Sequence, residues 1–406
     1  MTRSLRRAGP AWVVVVATAC AVATIPPTAT PAASPHRTGP PALTPEPRPT
    51  ASAFATAGLG AELDIGVLDE ATSGPVLEFV SDGSAIVYSS GPAGEPSEAA
   101  PDLWRYEPGP SARPELLWRN PVRQRSIVKI AADLGTTLFV DMPLDGERAW
   151  NLWVLPEAAE QPTLLDTHPG DVDVPSLVPS LAVYEPFVAW TAFDRGPHGP
   201  ISQLFMAEAP DWIPRLVLVR RAAEAELWLP SLYGRRMVYT EVRYAEDRST
   251  DERSVHLLDL GDPDAVPERL DASGMATMPL ITGQTVAWKE TDPGFNMFNW
   301  GRMVRYDLAT GERHTLSTWP QEYVNYPSIG SRFVAWWGAD AFTFSVYDLV
   351  RQRARLVERH SSDSETNVLR PHVSSDLMVW MQATLERGDV RRELRWAWLP
   401  GAGADR

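Results

Sequence analysis

Carboxylate, aromatic and guanidinium side chains give this sequence its clearest capacity for binding chemistry. A carboxylate accepts charge-assisted hydrogen bonds, and a tryptophan or tyrosine ring stacks on a flat or cationic ligand group. Several of these residues fall in the variable stretches between apolar, strand-like segments, where a ring has little structural purpose. The candidate ligand-binding residues are Trp228, Glu241, Glu290, Trp300, Tyr326, Trp337 and Arg370.

Catalytic signatures are much weaker. The sequence contains no Gly-x-Ser-x-Gly, Walker or dinucleotide-binding motif and no His-Glu-x-x-His pair. Its single cysteine, Cys20, leaves the remainder without a thiolate nucleophile or a disulfide. Asp171 and Asp173 offer clustered oxygen ligands, but their spacing matches no EF-hand-like calcium loop. We therefore expect no cofactor and no metal. One enzymatic alternative stays open: carboxylates such as Glu241 and Glu290 could cleave a polysaccharide by acid–base chemistry.

The elements that must position these residues repeat along the chain. Seven apolar triplets, each typical of a buried strand, begin at spacings of 52, 50, 49, 49, 48 and 44 residues. Their first residues are Ile86, Leu138, Val188, Met237, Val286, Val334 and Met378. Strand-like segments alternate at period two, with no sustained helical period. A period near 50 with several short strands in each unit predicts an all-β fold, a β-propeller of seven four-stranded blades.

Each unit has a common internal order. In four units a proline stands seven residues before the triplet, at Pro230, Pro279, Pro327 and Pro371. Because proline is tolerated at a strand's first residue, we expect the first strand of these blades to begin there. The triplets of four units end in tryptophan, which predicts packing between blades. The loops that join the second strand to the third, and the fourth strand to the next blade, emerge on one face. We expect the candidate residues on that face.

Ring closure follows from a count of strands. The seventh unit provides a third strand at 394–399 and then ends, whereas an unassigned strand at 62–68 precedes the first unit. The N-terminal strand is therefore predicted to complete the last blade, which leaves no long exposed edge. Six blades with one irregular unit remain the alternative, because the first two units are degenerate.

Three recurring motifs carry a resemblance to a known family. They are the Pro-Ser-x-x-Gly opening at 327–330, the Val-Ala-Trp strand at 334–336 and the Tyr-Asp-Leu-x-Thr-Gly turn at 306–311. Together they resemble the TolB-like, WD40-like (PD40-type) propeller repeats of exported bacterial proteins, over roughly residues 60–400. The resemblance implies a propeller in the cell envelope or outside the cell. The chain lacks the separate N-terminal α/β domain of TolB, so TolB's partners are not implied.

The N-terminus is typical of an export signal followed by a spacer. Arginines at positions 3, 6 and 7 precede a short apolar run that ends in small residues, so residues 1–23 are predicted to be a signal peptide. The run is too short to span a bilayer as a helix. Ala17-Thr18-Ala19-Cys20 resembles a lipobox, which makes lipidation of Cys20 an alternative to ordinary cleavage after Ala23. Residues 24–57 are rich in proline, threonine and alanine, and are predicted to be a disordered linker before the propeller at 58–406.

The net charge of the chain argues against one class of partner. The net charge of −15 and the scattered arginines argue against binding to nucleic acid. We expect a monomer that touches the membrane only through a lipid on Cys20. The preferred function is a non-enzymatic module that binds a protein, a peptide or a glycan. A polysaccharide hydrolase or lyase with acidic residues at the mouth of the channel is the alternative.

Overall fold

Buried apolar triplets form the second strand of each of seven antiparallel sheets in the computed structural model. The structure describes residues 63–69, 76–91, 101–110, 112–170, 177–245, 251–291, 300–317, 322–338, 343–359, 366–386 and 389–400. The predicted signal peptide, Cys20 and the linker lie outside these residues. Among the described residues no helix is long and apolar enough to cross a membrane.

The strands succeed one another blade by blade along the chain. Strand β1 (Ile65–Asp69) comes first. Blade 1 contains β2 (Val76–Ser81), β3 (Ile86–Ser90), β4 (Asp102–Tyr106) and β5 (Glu115–Trp118). Blade 2 contains β6 (Arg125–Asp133), β7 (Thr136–Pro143), β8 (Trp150–Leu155) and β9 (Thr163–His168). Blade 3 contains β10 (Leu181–Tyr184), β11 (Phe187–Gly196), β12 (Gly199–Glu208) and β13 (Arg215–Arg221).

The remaining blades follow the same order. Blade 4 contains β14 (Ala225–Tyr233), β15 (Arg236–Tyr244), β16 (Asp251–Asp259) and β17 (Glu268–Arg269). Blade 5 contains β18 (Ala276–Thr282), β19 (Thr285–Glu290), β20 (Trp300–Asp307) and β21 (Arg313–Thr315), and the short β22 (Glu322–Tyr323) also pairs with β20. Blade 6 contains β23 (Asn325–Ile329), β24 (Phe333–Gly338), β25 (Thr343–Asp348) and β26 (Arg353–Arg359). Blade 7 contains β27 (Thr366–Ser374), β28 (Leu377–Glu386) and β29 (Asp389–Trp398).

The ring closes as the strand count predicts. Strand β1 pairs antiparallel with β29 and becomes the outermost strand of blade 7, in a register that runs from Ile65 opposite Ala397 to Asp69 opposite Glu393. The first strand of each blade, which we call the inner strand, contacts the inner strand of the next blade, and β27 contacts β2. The seven-bladed propeller is therefore confirmed, and the six-bladed alternative is wrong.

Packing between blades uses the residues that share a position in the repeat. Trp190, Trp288, Trp336 and Trp380 are all fully buried. Each belongs to a cluster with residues of a neighbouring blade; Trp288, for example, packs with Val238 of blade 4. An aromatic side chain buries about 150–250 Å². These tryptophans are therefore structural, as predicted.

The inner strands differ from the prediction in where they begin. Strands β14, β18, β23 and β27 start before the proline, so all four prolines lie inside their strands: Pro230, Pro279, Pro327 and Pro371. At each of these prolines the pairing register shifts, in a β-bulge that leaves the proline and the residue before it out of the ladder. The expectation that these strands begin at the proline is wrong, because a bulge removes the need for the missing N–H.

Candidate functional site

The residue before each inner-strand proline has an unusual backbone. Leu229, Met278, Tyr326 and Arg370 have φ values of 51°, 56°, 44° and 49°. Non-glycine residues rarely adopt this left-handed region, and a bulge that imposes it re-aims the side chain. Because the inner strands surround the propeller axis, the four side chains occupy equivalent positions in blades 4 to 7. We call this set of positions the rim.

Tyr326 contacts two other candidate residues directly, Trp337 of the adjacent strand and Arg370 of the rim. The rings of Tyr326 and Trp337 stack with centroids 6.1 Å apart and planes inclined by 24°. The guanidinium carbon of Arg370 lies 5.3 Å from the centre of the Tyr326 ring, within cation–π range. Tyr326 is 44% exposed and Trp337 is half-buried. The structure thus brings together Tyr326, Trp337 and Arg370, three of the residues that the sequence selected.

The polar contacts continue into blades 1 and 2. Arg370 Nη1 donates to Glu78 Oε1, and the charge of Lys129 acts on both of these groups. Burial raises the pKa of Glu78, although the charge of Arg370 opposes the shift. Burial lowers the pKa of Lys129, opposed by the charge of Glu78. We call Tyr326, Trp337, Arg370, Glu78 and Lys129 the rim cluster.

Sequence reasoning missed Glu78 and Lys129. Both lie where the inner strands of blades 1 and 2 shift register, between Val76 and Phe79 and between Ile127 and Lys129. Neither blade has the proline that marks this position elsewhere. A signal was nevertheless present for Glu78, which precedes its triplet by eight residues, as Arg370 does.

Glu241 is a buried carboxylate between two arginines. It lies in β15 rather than on a loop and is fully buried. Arg220 Nε donates to Oε2 at 3.0 Å and Arg243 Nε donates to Oε1 at 2.7 Å. Burial alone would raise the pKa of Glu241, but the hydrogen bond from Arg243 and the charge of Arg220 lower it. A general acid must carry a proton at working pH, so Glu241 is unsuited to that role.

Glu290 is held in a similar way. It ends β19, is 3% exposed, and pairs with Arg313 and with Arg302, whose Nη2 lies 3.4 Å from Oε2. Glu241 and Glu290 therefore lie on different blades, and each is neutralised by its own arginines. The prediction that both stand on loops is wrong, because their second strands extend further than the apolar triplets indicate.

The two remaining tryptophan candidates also lie in strands. Trp228 is part of β14; its Nε1 donates to Glu226 Oε2 at 3.0 Å and its ring meets the edge of Phe193. Trp228 therefore belongs to the contact between blades 3 and 4. Trp300 is the first residue of β20 and pairs in backbone register with Tyr323. Its side chain, and the aromatic stretch before it, lie outside the described residues.

A metal site is not apparent in the described part of the chain, where no three His, Cys, Asp or Glu side chains are grouped suitably. Asp171 and Asp173 lie outside the described residues. The nearby Asp166 accepts a hydrogen bond from Trp190 Nε1 at 2.8 Å, which ties it to the blade.

No protein-family profile and no curated protein sequence matches this chain. Several solved structures match the chain in fold. An oligogalacturonate lyase in complex with manganese matches with a TM-score of 0.52 and 13% identity, over 84% of this chain and 97% of the lyase. A post-proline cleaving enzyme from Rickettsia typhi matches with a TM-score of 0.53 and 10% identity, over 80% of this chain and 51% of the enzyme. The likeness is one of fold. The chain spans about half the length of that peptidase and 44% of an acylaminoacyl peptidase.

Proposed function

We propose that this chain is a binding module that captures a peptide segment of a partner protein at the rim of the propeller. The single observation that supports the proposal most strongly is the composition of the rim. Blades 6, 7, 1 and 2 contribute the aromatic and charged residues of the rim cluster, whereas blades 4 and 5 contribute Leu229 and Met278.

The apolar side of the rim favours a peptide over a glycan. Leu229 and Met278 are half-buried, and neither belongs to a hydrophobic cluster among the described residues. An aliphatic or thioether side chain that is partly exposed and lies outside the core clusters suits an apolar amino-acid side chain better than a sugar hydroxyl. The opposite side offers rings and charges to the peptide backbone and to polar groups.

The polysaccharide-cleaving alternative has less support. Its two predicted acids, Glu241 and Glu290, are each held by arginines on separate blades. The oligogalacturonate lyase is a neighbour in fold alone, at 13% identity.

The proposal includes location. We place the module outside the cytoplasm, as an exported propeller of the TolB-like, WD40-like (PD40-type) class, carried on the linker at 24–57 and anchored through Cys20 when that residue is lipidated. The basis is the sequence of the signal segment and the repeat motifs. Loss of palmitate incorporation in Cys20→Ser would support the anchor, whereas a protein released equally with and without Cys20 would refute it.

Selection from a displayed library of random dodecapeptides tests the binding function. We expect enriched peptides that bind the purified protein and lose about 5- to 100-fold in affinity on Trp337→Ala or Met278→Ala, the range for truncating an interface anchor. Ile213→Ala is the matched control, because Ile213 is 71% exposed on the β12–β13 connection at the opposite face. A library without enriched sequences, alongside a glycan array with strong signals, would overturn the peptide proposal.

A further inference from the structure

Lys129 is an unusual charge in this molecule. It is one of only two lysines in the chain, and it lies half-buried directly after the bulge of an inner strand, where it pairs with Val140. Its ammonium makes no hydrogen bond or ion pair with any residue that the structure describes; it interacts with Glu78 and Arg370 through charge alone. An ammonium that is partly removed from water without a partner is costly, so a ligand oxygen at this position would be stabilising.

Arg370 has hydrogen-bonding capacity to spare. A guanidinium has five N–H donors, and the structure assigns Nη1 of Arg370 to Glu78. The side chain is 42% exposed, and the Tyr326 ring and the left-handed backbone restrict its orientation. A guanidinium held in this way suits the planar, bidentate geometry of a carboxylate.

The net charge of the rim cluster favours a ligand group with one negative charge. Arg370, Lys129 and Glu78 together carry one positive charge, whether the shared proton lies on Lys129 or on Glu78. A group with a single negative charge neutralises this cluster. A phosphate dianion brings a second negative charge close to Glu78, which like-charge repulsion disfavours.

From these observations we propose that Lys129 and Arg370 together bind a carboxylate of the captured peptide, and that the apolar side chain next to it reaches Leu229 and Met278. The inference rests on the proposed function and adds the chemical class of the recognised group. The carboxylate comes either from the C-terminus of the peptide or from an aspartate or glutamate side chain, and the experiment separates the two.

The first arm uses acetate as the probe and the two lysines as reporters. Protein labelled with ¹³C at lysine Cε gives one signal for Lys129 and one for Lys289, so each ammonium is titrated separately. We expect acetate, exchanged for chloride at constant ionic strength, to shift the Lys129 signal and raise the pKa of that ammonium, with Lys289 unchanged. Inorganic phosphate should act more weakly. Arg370→Gln should weaken the acetate response about tenfold, whereas Arg351→Gln, an exposed arginine on the β25–β26 turn, should not change it.

The second arm uses three short synthetic peptides. They are acetyl-Gly-Gly-Leu with a free C-terminus, its C-terminal amide, and the amide of acetyl-Gly-Asp-Leu. Binding of the first alone assigns the C-terminal carboxylate, binding of the third alone assigns a side-chain carboxylate, and binding of both shows that either carboxylate is accepted.

The outcomes separate the two proposals. Equal binding of all three peptides, with Lys129 unmoved by acetate, overturns the carboxylate inference and leaves peptide binding intact. A saturable acetate shift at Lys129 without binding of any peptide supports the carboxylate site and overturns peptide capture. A stronger response to phosphate than to acetate refutes the assignment to a carboxylate.

Discussion

Leu68→Ala tests the closure of the ring at a single side chain. Leu68 lies in β1, is 3% exposed, and packs in the cluster between blades 7 and 1 with Leu394 and Val76. Truncating a buried leucine removes its transfer free energy and leaves a cavity, which together cost about 2–5 kcal/mol. Val67 is the matched control, because it is the adjacent residue of the same strand, faces solvent and is 47% exposed. Val67→Ala should cost less than about 1 kcal/mol.

Urea unfolding followed by tryptophan fluorescence measures the difference in the free energy of unfolding. For the roughly 330 residues of the blades, an unfolding entropy of about 2.1 cal/mol/K per residue gives about 0.7 kcal/mol/K. A loss of about 3 kcal/mol on Leu68→Ala therefore lowers Tm by about 4 °C. A Leu68→Ala protein within 0.5 kcal/mol of the parent, or a Val67→Ala protein equally destabilised, would show that β1 does not close the ring as described.

Three further perturbations probe the same architecture. Deletion of residues 58–69 exposes the edge of β29, so we expect loss of cooperative unfolding and aggregation, and a normal unfolding curve would contradict this. Gly330→Ala places a Cβ 2.5 Å from a backbone carbonyl of the next blade and should cost about 1–3 kcal/mol, whereas Gly109→Ala, in open space, should cost little; equal stabilities would refute the clash. Burial lowers the pKa of His372 to about 4, against about 6.5 when unfolded, so the unfolded chain binds the proton first and stability falls as the pH drops from about 6.5 to 4. The loss reaches about 2–3 kcal/mol at pH 4.5. It should be absent in His372→Asn, whose Oδ1 takes the place of Nδ1 as acceptor for the backbone N–H of Ser81; an undiminished loss would exclude His372 as its source.

The seven-bladed fold could be predicted from the sequence because its signals are local. Apolar triplets mark the second strands, and their even spacing gives the number of blades whatever the loops contain. Closure by β1 could be predicted from the number of strands. The seventh unit had no fourth strand, and the N-terminal strand belonged to no unit. The beginnings of the inner strands were predicted wrongly. A proline such as Pro230 indicates the start of a strand, but here a bulge accommodates it inside the strand, and that bulge depends on pairing with the neighbouring strand.

The candidate site was only partly predictable. Tyr326, Trp337 and Arg370 were identified as residues that the repeat does not require, and the structure brings them together. Glu241 looked like a free carboxylate because one of its two partners, Arg220, lies on the preceding blade, and no local pattern reports how two blades align. Lys129 could not be identified from the sequence, since its position at the rim depends on a register shift within blade 2.

The bulge before the inner-strand proline explains why a site would lie at the rim. A residue in the left-handed region costs of order 1–3 kcal/mol, and the surrounding strands impose that conformation on four blades. The side chain at this position does not have to fill the core as the triplets do, so its type differs from blade to blade: leucine, methionine, tyrosine and arginine. The fold thus determines that the residue before the inner-strand proline can differ between blades, and the residue present in each blade determines which ligand groups it can contact. On the proposed function, the division of the rim, with Leu229 and Met278 on one side and Arg370 on the other, would give a bound peptide a defined direction. A ligand that binds equally well with its acidic and apolar groups exchanged would contradict that division.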